Sequence, residues 1–185
     1  MKVQKIGTLV VALAIAGSLL VATPAQADPS PQPDAKAPTG TCWLDLGTNL
    51  SQCFTDDKAF KAAVRAQTGT DVVYPSASTV TAKSGAAQAL AGTYVLAIMY
   101  WSANYADASW VLTSPYSTLC SSYSYNIDVI SGSWNNQIGS FITYGTCKVR
   151  LSELTYQGGS HLGPYTSRPT LGLMNDQASS IWITG

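Results

Sequence analysis

The chain has 185 residues with 10 Lys and Arg against 10 Asp and Glu, a formal net charge of +0, and charged residues make up only 11% of it. That balance argues against a nucleic-acid binder or a ligand of anionic membranes, both of which need a basic surface. Tyr, Trp, Ser, Thr, Gly and Asn are plentiful, a mixture suited to a secreted β-protein.

Lys2 and Lys5 precede an apolar run from Ile6 to Val21, and "ATPAQA" (22–27) ends in a small-x-small pattern. This predicts a secretory signal peptide over 1–27, cleaved after Ala27. The apolar run is short for a bilayer span and no second run follows. Loss of the leader removes two lysines and no acid, so the exported chain carries eight basic and ten acidic residues, a charge of −2. It is expected to be extracellular, free of membrane and nucleic acid, and monomeric.

Residues 28–40, "DPSPQPDAKAPTG", hold four prolines and almost nothing to bury, which predicts a disordered linker. Residues 41–90 are expected to form a cysteine-bearing extension. In "TCWLDLGTNLSQCF" (41–54) the alternation of "CWLDL" and the turn residues "GTN" predict a hairpin. In "DDKAFKAAVRAQT" (56–68) an initial Asp, the i, i+4 pair Phe60 and Val64, and Gly69 as a stop predict a short amphipathic helix. Residues 70–90 are Ser/Thr/Ala-rich and aperiodic, a loop or weak strand.

From residue 91 to 185 the pattern changes. "TYVLAIMYW", "ASWVLT", "NIDVI", "SFITY", "CKVRL" and "SSIWIT" are β-rich runs separated by polar turns, which predicts an all-β domain, a sandwich rather than a barrel. Cys42, Cys53, Cys120 and Cys147 are even in number, and in an oxidising compartment they read as two disulfides. Three pairings exist. Cys42–Cys53 and Cys120–Cys147 are favoured because each pair flanks or joins neighbouring strand candidates. With no C-x-x-C and a lone His161, thiol metal binding is not indicated.

The domain also looks like one unit written twice. "YWSANYADASWVL" (100–112) falls on "LSELTYQGGSHLG" (151–163), placing Tyr105 on Tyr156 and Ser109 on Ser160. "WNNQIGSFIT" (134–143) falls on "MNDQASSIWI" (174–183), and the first copy is eleven residues longer between these anchors. A unit unable to bury its apolar face alone pairs with its copy. With its tyrosine hairpin and a polar box of the form N/D-N/D-x-x-S/T-S, each copy resembles a Greek-key motif of the βγ-crystallin family. The boxes are Asn135-Asn136-Gln137-Ile138-Gly139-Ser140 and Asn175-Asp176-Gln177-Ala178-Ser179-Ser180. Relative to the family, Leu151 stands for an aromatic, Asp107 for a glycine and Gly139 for a hydroxyl residue. The resemblance implies two Greek keys forming a βγ-crystallin-like β-sandwich. It also implies calcium ligation of modest affinity by the boxes, through Asn135, Asn136, Asn175, Asp176, Ser179 and Ser180, with backbone carbonyls near Trp101 and Ser152. Asp176 is the only carboxylate in either box, so the second box is expected to be competent and the first weak or empty.

"YQGGSHLGPYTSRPTLGLMNDQASSIWI" (156–183) is further similar to a pattern in secreted actinobacterial peptidase inhibitors of βγ-crystallin fold. This implies inhibition of an extracellular metalloprotease by a rigid loop. The eleven-residue excess supplies the candidate, "SPYSTLCSSYSYN" (114–126), with Tyr116, Leu119, Cys120, Ser121 and Tyr123 as its contact residues and the disulfide as its anchor. The alternative is a calcium-stabilised binding or antimicrobial module, similar to killer toxins of the family, without protease inhibition. No G-x-S-x-G, H-E-x-x-H or paired-acid pattern accompanies His161 and Glu153, so the chain is not expected to be an enzyme.

Overall fold

The computed structural model describes residues 38–75, 92–116 and 119–185. The expected leader, most of the linker, and most of the 70–90 segment lie outside the described residues. Strands β1 (Thr41–Asp45) and β2 (Leu50–Phe54) form the first hairpin, with Cys42 directly opposite Cys53 and joined to it. Buried Asp45 sets the turn: its Oδ1 accepts the backbone N–H of Gly47 at 2.7 Å and of Thr48 at 3.2 Å. Helix α1 (Asp57–Thr68) starts where Asp56 accepts the N–H of Ala59 at 2.8 Å. It stops at Gly69, whose φ of 70° suits a residue without Cβ and whose N–H reaches the Arg65 carbonyl.

The hairpin and helix pack against the strands that follow residue 91. β1 pairs in parallel with β5 (Ala106–Ser114), from Thr41 opposite Ser109 to Asp45 opposite Thr113. A bare β5 edge would leave a row of unpaired backbone groups, and β1 covers it. Phe60 and Val64 of the helix are fully buried on Trp43, Val95, Ile98 and Val111, making a second core on the outer face of the sheet. Trp43 is fixed there by an indole hydrogen bond to Thr113 Oγ1 at 2.7 Å. The short β3 (Val72–Val73) runs parallel to the start of β4 (Thr93–Ser102). With both faces covered, β4 reads as a continuous apolar run instead of alternating.

The remaining strands are β6 (Tyr125–Ile127), β7 (Ser140–Thr143), β8 (Lys148–Ser152), β9 (His161–Tyr165), β10 (Ser167–Arg168) and β11 (Ser180–Thr184). One sheet has the order β10-β7-β4-β5-β1-β2, the other β6-β11-β8-β9. The first Greek key therefore lends β6 to the sheet of the second, and the second lends β10 to the sheet of the first. The main core lies between them, with Leu96, Met99, Leu112, Ile138, Phe141, Leu151, Ile181 and Ile183 fully buried. The fold is a βγ-crystallin-like sandwich with a helix on one outer face. The "NIDVI" run forms a strand only to Ile127, and β9 was hidden by Gly163 and Pro164. Proline is tolerated there because β9 is an edge strand.

Truncation of Phe60 to Ala empties a site with no exposure, and a loss of about 3–5 kcal/mol in unfolding free energy is expected from denaturant titration. Beside the helix, Tyr74 packs edge-on against Tyr144 at 5.4 Å. Burial first, then the nearby charge of Asp57 and then Tyr144, pushes the Tyr74 phenol up to about 12 from its ordinary 10.0. A raised phenol favours the neutral form in the folded state, so this contribution is complete below the ordinary value and is lost as pH rises through the folded one. Phenolate absorbance followed against pH is expected to show a late tyrosine step that loses amplitude in Tyr74→Phe, with the rest carried by the other raised phenols, Tyr100, Tyr125 and Tyr144.

Candidate functional site

The two polar boxes form matching corners. The N–H groups of Asn135 and Asn175 reach the carbonyls of Gly132 and Gly172 at 3.4 and 3.2 Å. Asn136 and Asp176 both take left-handed backbones, φ 57° and 54°, which short polar side chains tolerate. The corners then interlock: Asn136 N–H donates to the Ala178 carbonyl at 3.0 Å, and Asp176 N–H donates to the Ile138 carbonyl at 3.3 Å. This reciprocity is the local two-fold of the sandwich.

The last serine of each box is a fastener. Ser140 Oγ donates to the Ser102 carbonyl at 2.6 Å and accepts the Tyr105 N–H at 3.0 Å. Ser180 Oγ donates to the Leu154 carbonyl at 2.7 Å and accepts the Gln157 N–H at 3.1 Å. Each thereby folds its hairpin back over the sheet. These pairs also correct the overlay of the hairpins by one residue. Gly139 N–H to Tyr100 O and Ser179 N–H to Ser152 O, both 2.9 Å, make Tyr100 the counterpart of Ser152. Tyr105 then matches Gln157, and Asp107 (φ 65°) matches Gly159 (φ 72°). The sequence overlay aligned two tyrosines, whereas the hairpin is defined by its left-handed positions. Leu151 accordingly does not replace an aromatic; it matches Met99, and both are fully buried. Ser102 Oγ donates to the Asp107 carboxylate, which holds this substitute for glycine in place.

The proposed calcium ligands are distributed differently from the one-box-one-site expectation. Because the corners cross, Ser179 Oγ donates to Asn136 Oδ1 of the other box at 2.9 Å. By the same two-fold, the Asp176 backbone lies beside Gly139, its N–H on the Ile138 carbonyl, while its carboxylate accepts the Asn175 amide. A Cβ on Gly139 would lie 2.7 Å from the Trp101 carbonyl oxygen, so that corner is closed to a hydroxyl side chain. The Ser152 carbonyl already accepts Ser179 N–H, and the counterpart of Trp101 is Glu153, whose Oε2 accepts Ser160 N–H at 3.1 Å. Burial holds the Asp176 carboxyl above its ordinary range, with the Asn175 amide at 2.6 Å pulling the other way. Among the box oxygens of the described residues only Asn135 Oδ1 is buried without a partner. Calcium takes six to eight oxygens, and the structure shares the donors written in one box between two corners. Among the described residues no group of three or more His, Cys, Asp or Glu side chains is placed to hold a metal.

The loop after β5 is anchored at its base. Ser114 Oγ is 2.9 Å from the Tyr125 hydroxyl and accepts Tyr116 N–H at 3.2 Å. Cys120 is buried and bonded to buried Cys147. Leu119, Cys120 and Ser121 form a 3-10 turn, so the Cys120–Ser121 bond is not in the extended form expected of a protease-ready loop. The turn follows from the need to bring the sulfur inward. The presented groups are instead Tyr116 and Tyr123, stacked at 5.1 Å between centroids and about half exposed. His161 Nδ1 lies 3.1 Å from Ser152 Oγ, which bonds Gln157 Oε1 at 3.3 Å, a packing network with no carboxylate in the chain of contacts.

Comparison with protein-family models and with curated proteins returns no match. Among solved structures, the N-terminal domain of protein S is similar at 16% identity with a TM-score of 0.39, over 49% of this chain and 96% of that one. A βγ-crystallin domain from Clostridium beijerinckii aligns at 22% identity and TM-score 0.38, over 48% and 97%. One from Flavobacterium johnsoniae aligns at 21% and 0.37, over 49% and 94%. The two disulfides indicate an oxidising compartment, and no helix among the described residues is long and apolar enough to cross a membrane.

The divided donor set has a direct consequence. Calcium at a concentration on the order of millimolar is expected to move the melting midpoint of the chelator-treated protein by less than about 2 °C, since only a ligand that binds the folded state stabilises it. A larger rise in a calorimetric scan would show a competent corner.

Proposed function

We propose that the protein is a secreted, non-catalytic binding domain that inhibits an extracellular protease, of the metalloprotease class, through the tyrosine face of its disulfide-anchored loop. The stacked, exposed Tyr116–Tyr123 pair supports this reading above all. Two aromatic rings that already pack on each other lose little rotamer freedom on docking, and tyrosine offers both apolar area and a hydroxyl. The anchoring bonds from Ser114, Tyr125 and Cys147 limit the ordering cost at the base. The leader-like residues 1–27 support export, and the similarity of 156–183 to secreted peptidase inhibitors supports the target class. The contact is made by tyrosines over a helical turn, so the loop acts by covering the enzyme's cleft and not by offering Cys120–Ser121 for cleavage.

A calcium-stabilised or killer-toxin-like module without inhibition is the second reading, and the crossed corners weigh against its calcium. Titration of a thermolysin-like metalloprotease with the purified protein decides between them. Inhibition at about micromolar protein is expected, weakened at least about tenfold in Tyr116→Ala/Tyr123→Ala with the melting midpoint retained. Full protease activity in the presence of excess folded protein would overturn the proposal.

A further inference from the structure

The two sheets are unequal. β1 and β2 carry one sheet beyond β6, the edge strand of the other. The overhang leaves a cleft of about 380 Å3 between the first hairpin and the segment that follows β6. Its floor is Trp110 and Trp134, stacked with centroids 5.7 Å apart and planes 26° apart. Trp101 supports Trp134 edge-on at 5.5 Å.

The walls carry polar side chains with nothing to do inside the protein. Asn49 and Ser51 come from the hairpin, and Asn126, Asp128 and Ser131 from the other side. All five are exposed, and none of these side chains hydrogen-bonds another described residue. Trp134 is only 5% exposed, yet its indole N–H is buried without an acceptor. Buried polar groups are nearly always paired, so an unpaired donor beside a cleft calls for a partner.

The other Greek key provides an internal comparison. By the register of the corners and hairpins, Trp110, Ser131 and Trp134 correspond to Leu162, Leu171 and Met174. Those residues line a groove of about 590 Å3 in the equivalent place, which no added hairpin walls off. At one end of the molecule the floor is aliphatic. At the other it is aromatic; amide, hydroxyl and carboxylate groups line both, but only the aliphatic groove also holds the cation of Arg168.

We propose that the cleft beneath the first hairpin binds a neutral saccharide. A sugar ring has a flat C–H face that packs on indole and a rim of hydroxyls that bonds amides and carboxylates. The lining holds one carboxylate and no cation, which suits hydroxyl donors and disfavours phosphate or carboxylate ligands. This site meets the end of the tyrosine loop at Asn126 but does not include Tyr116 or Tyr123 and does not rest on protease inhibition.

The test is a titration of the whole protein with chitotriose, cellotriose and mannotriose, read by tryptophan fluorescence and by calorimetry. A saturable change with at least one of them is expected. Asp128→Ala and Asn126→Ala, both surface substitutions that leave the core intact, are expected to weaken it by about tenfold each. Leu173→Ala, in the groove of the other Greek key, is expected to leave it unchanged. The absence of saturation with all three sugars up to about 10 mM would overturn the proposal. So would binding that survives the Asp128→Ala/Asn126→Ala double variant in full.

Discussion

The reciprocal hydrogen bonds between the two corner turns, Asn136 to Ala178 and Asp176 to Ile138, are the constraint on which the sandwich depends. Each corner presents one N–H and one carbonyl to its copy, so neither satisfies its buried backbone alone. The pairing fixes the two-fold, and the two-fold places β6 and β10 in each other's sheets. With the strands exchanged, the apolar faces of both copies close on a single core. The terminal serines of the boxes then fold the hairpins over that core, which explains why short oxygen-bearing side chains crowd the approach to β7 and β11.

That same reciprocity governs the metal chemistry. Donors written together in one box end up in opposite corners, and Gly139 allows the close approach of the Trp101 carbonyl that a side chain would prevent. The Ser179–Asn136 bond shows a corner satisfied within the protein. In this chain the polar boxes act as fasteners of the fold.

The first hairpin and the helix change the sandwich in two ways. They cover the β5 edge and give the sheet a second buried face, so β4 is apolar on both sides. They also overhang β6, and a wall of Asn49 and Ser51 then stands opposite Asn126, Asp128 and Ser131. The cysteine at each end of the hairpin is placed where paired strands bring it beside its partner. A segment that reads as an extension is thus structural on one face and forms a cleft on the other.

Local chemistry was legible in the chain itself. The cap at Asp56, the stop at Gly69 and the turn after Asp45 follow from contacts between residues close in sequence, and the strands around β4, β5, β7, β8 and β11 and the two polar boxes are visible as local residue patterns. The sandwich followed from the repeat, because a half-buried unit needs its copy. The one-residue error in the hairpin overlay arose because side-chain identity was matched where backbone φ governs. β9 escaped because an edge strand tolerates Gly and Pro that an interior strand does not. Only the tertiary structure decided that β1 joins β5, that Cys120 sits in an inward turn, and that Asp176 N–H bonds the Ile138 carbonyl of the other corner. Those outcomes depend on which distant edges meet, and pairing across some seventy residues leaves no periodic trace in either partner.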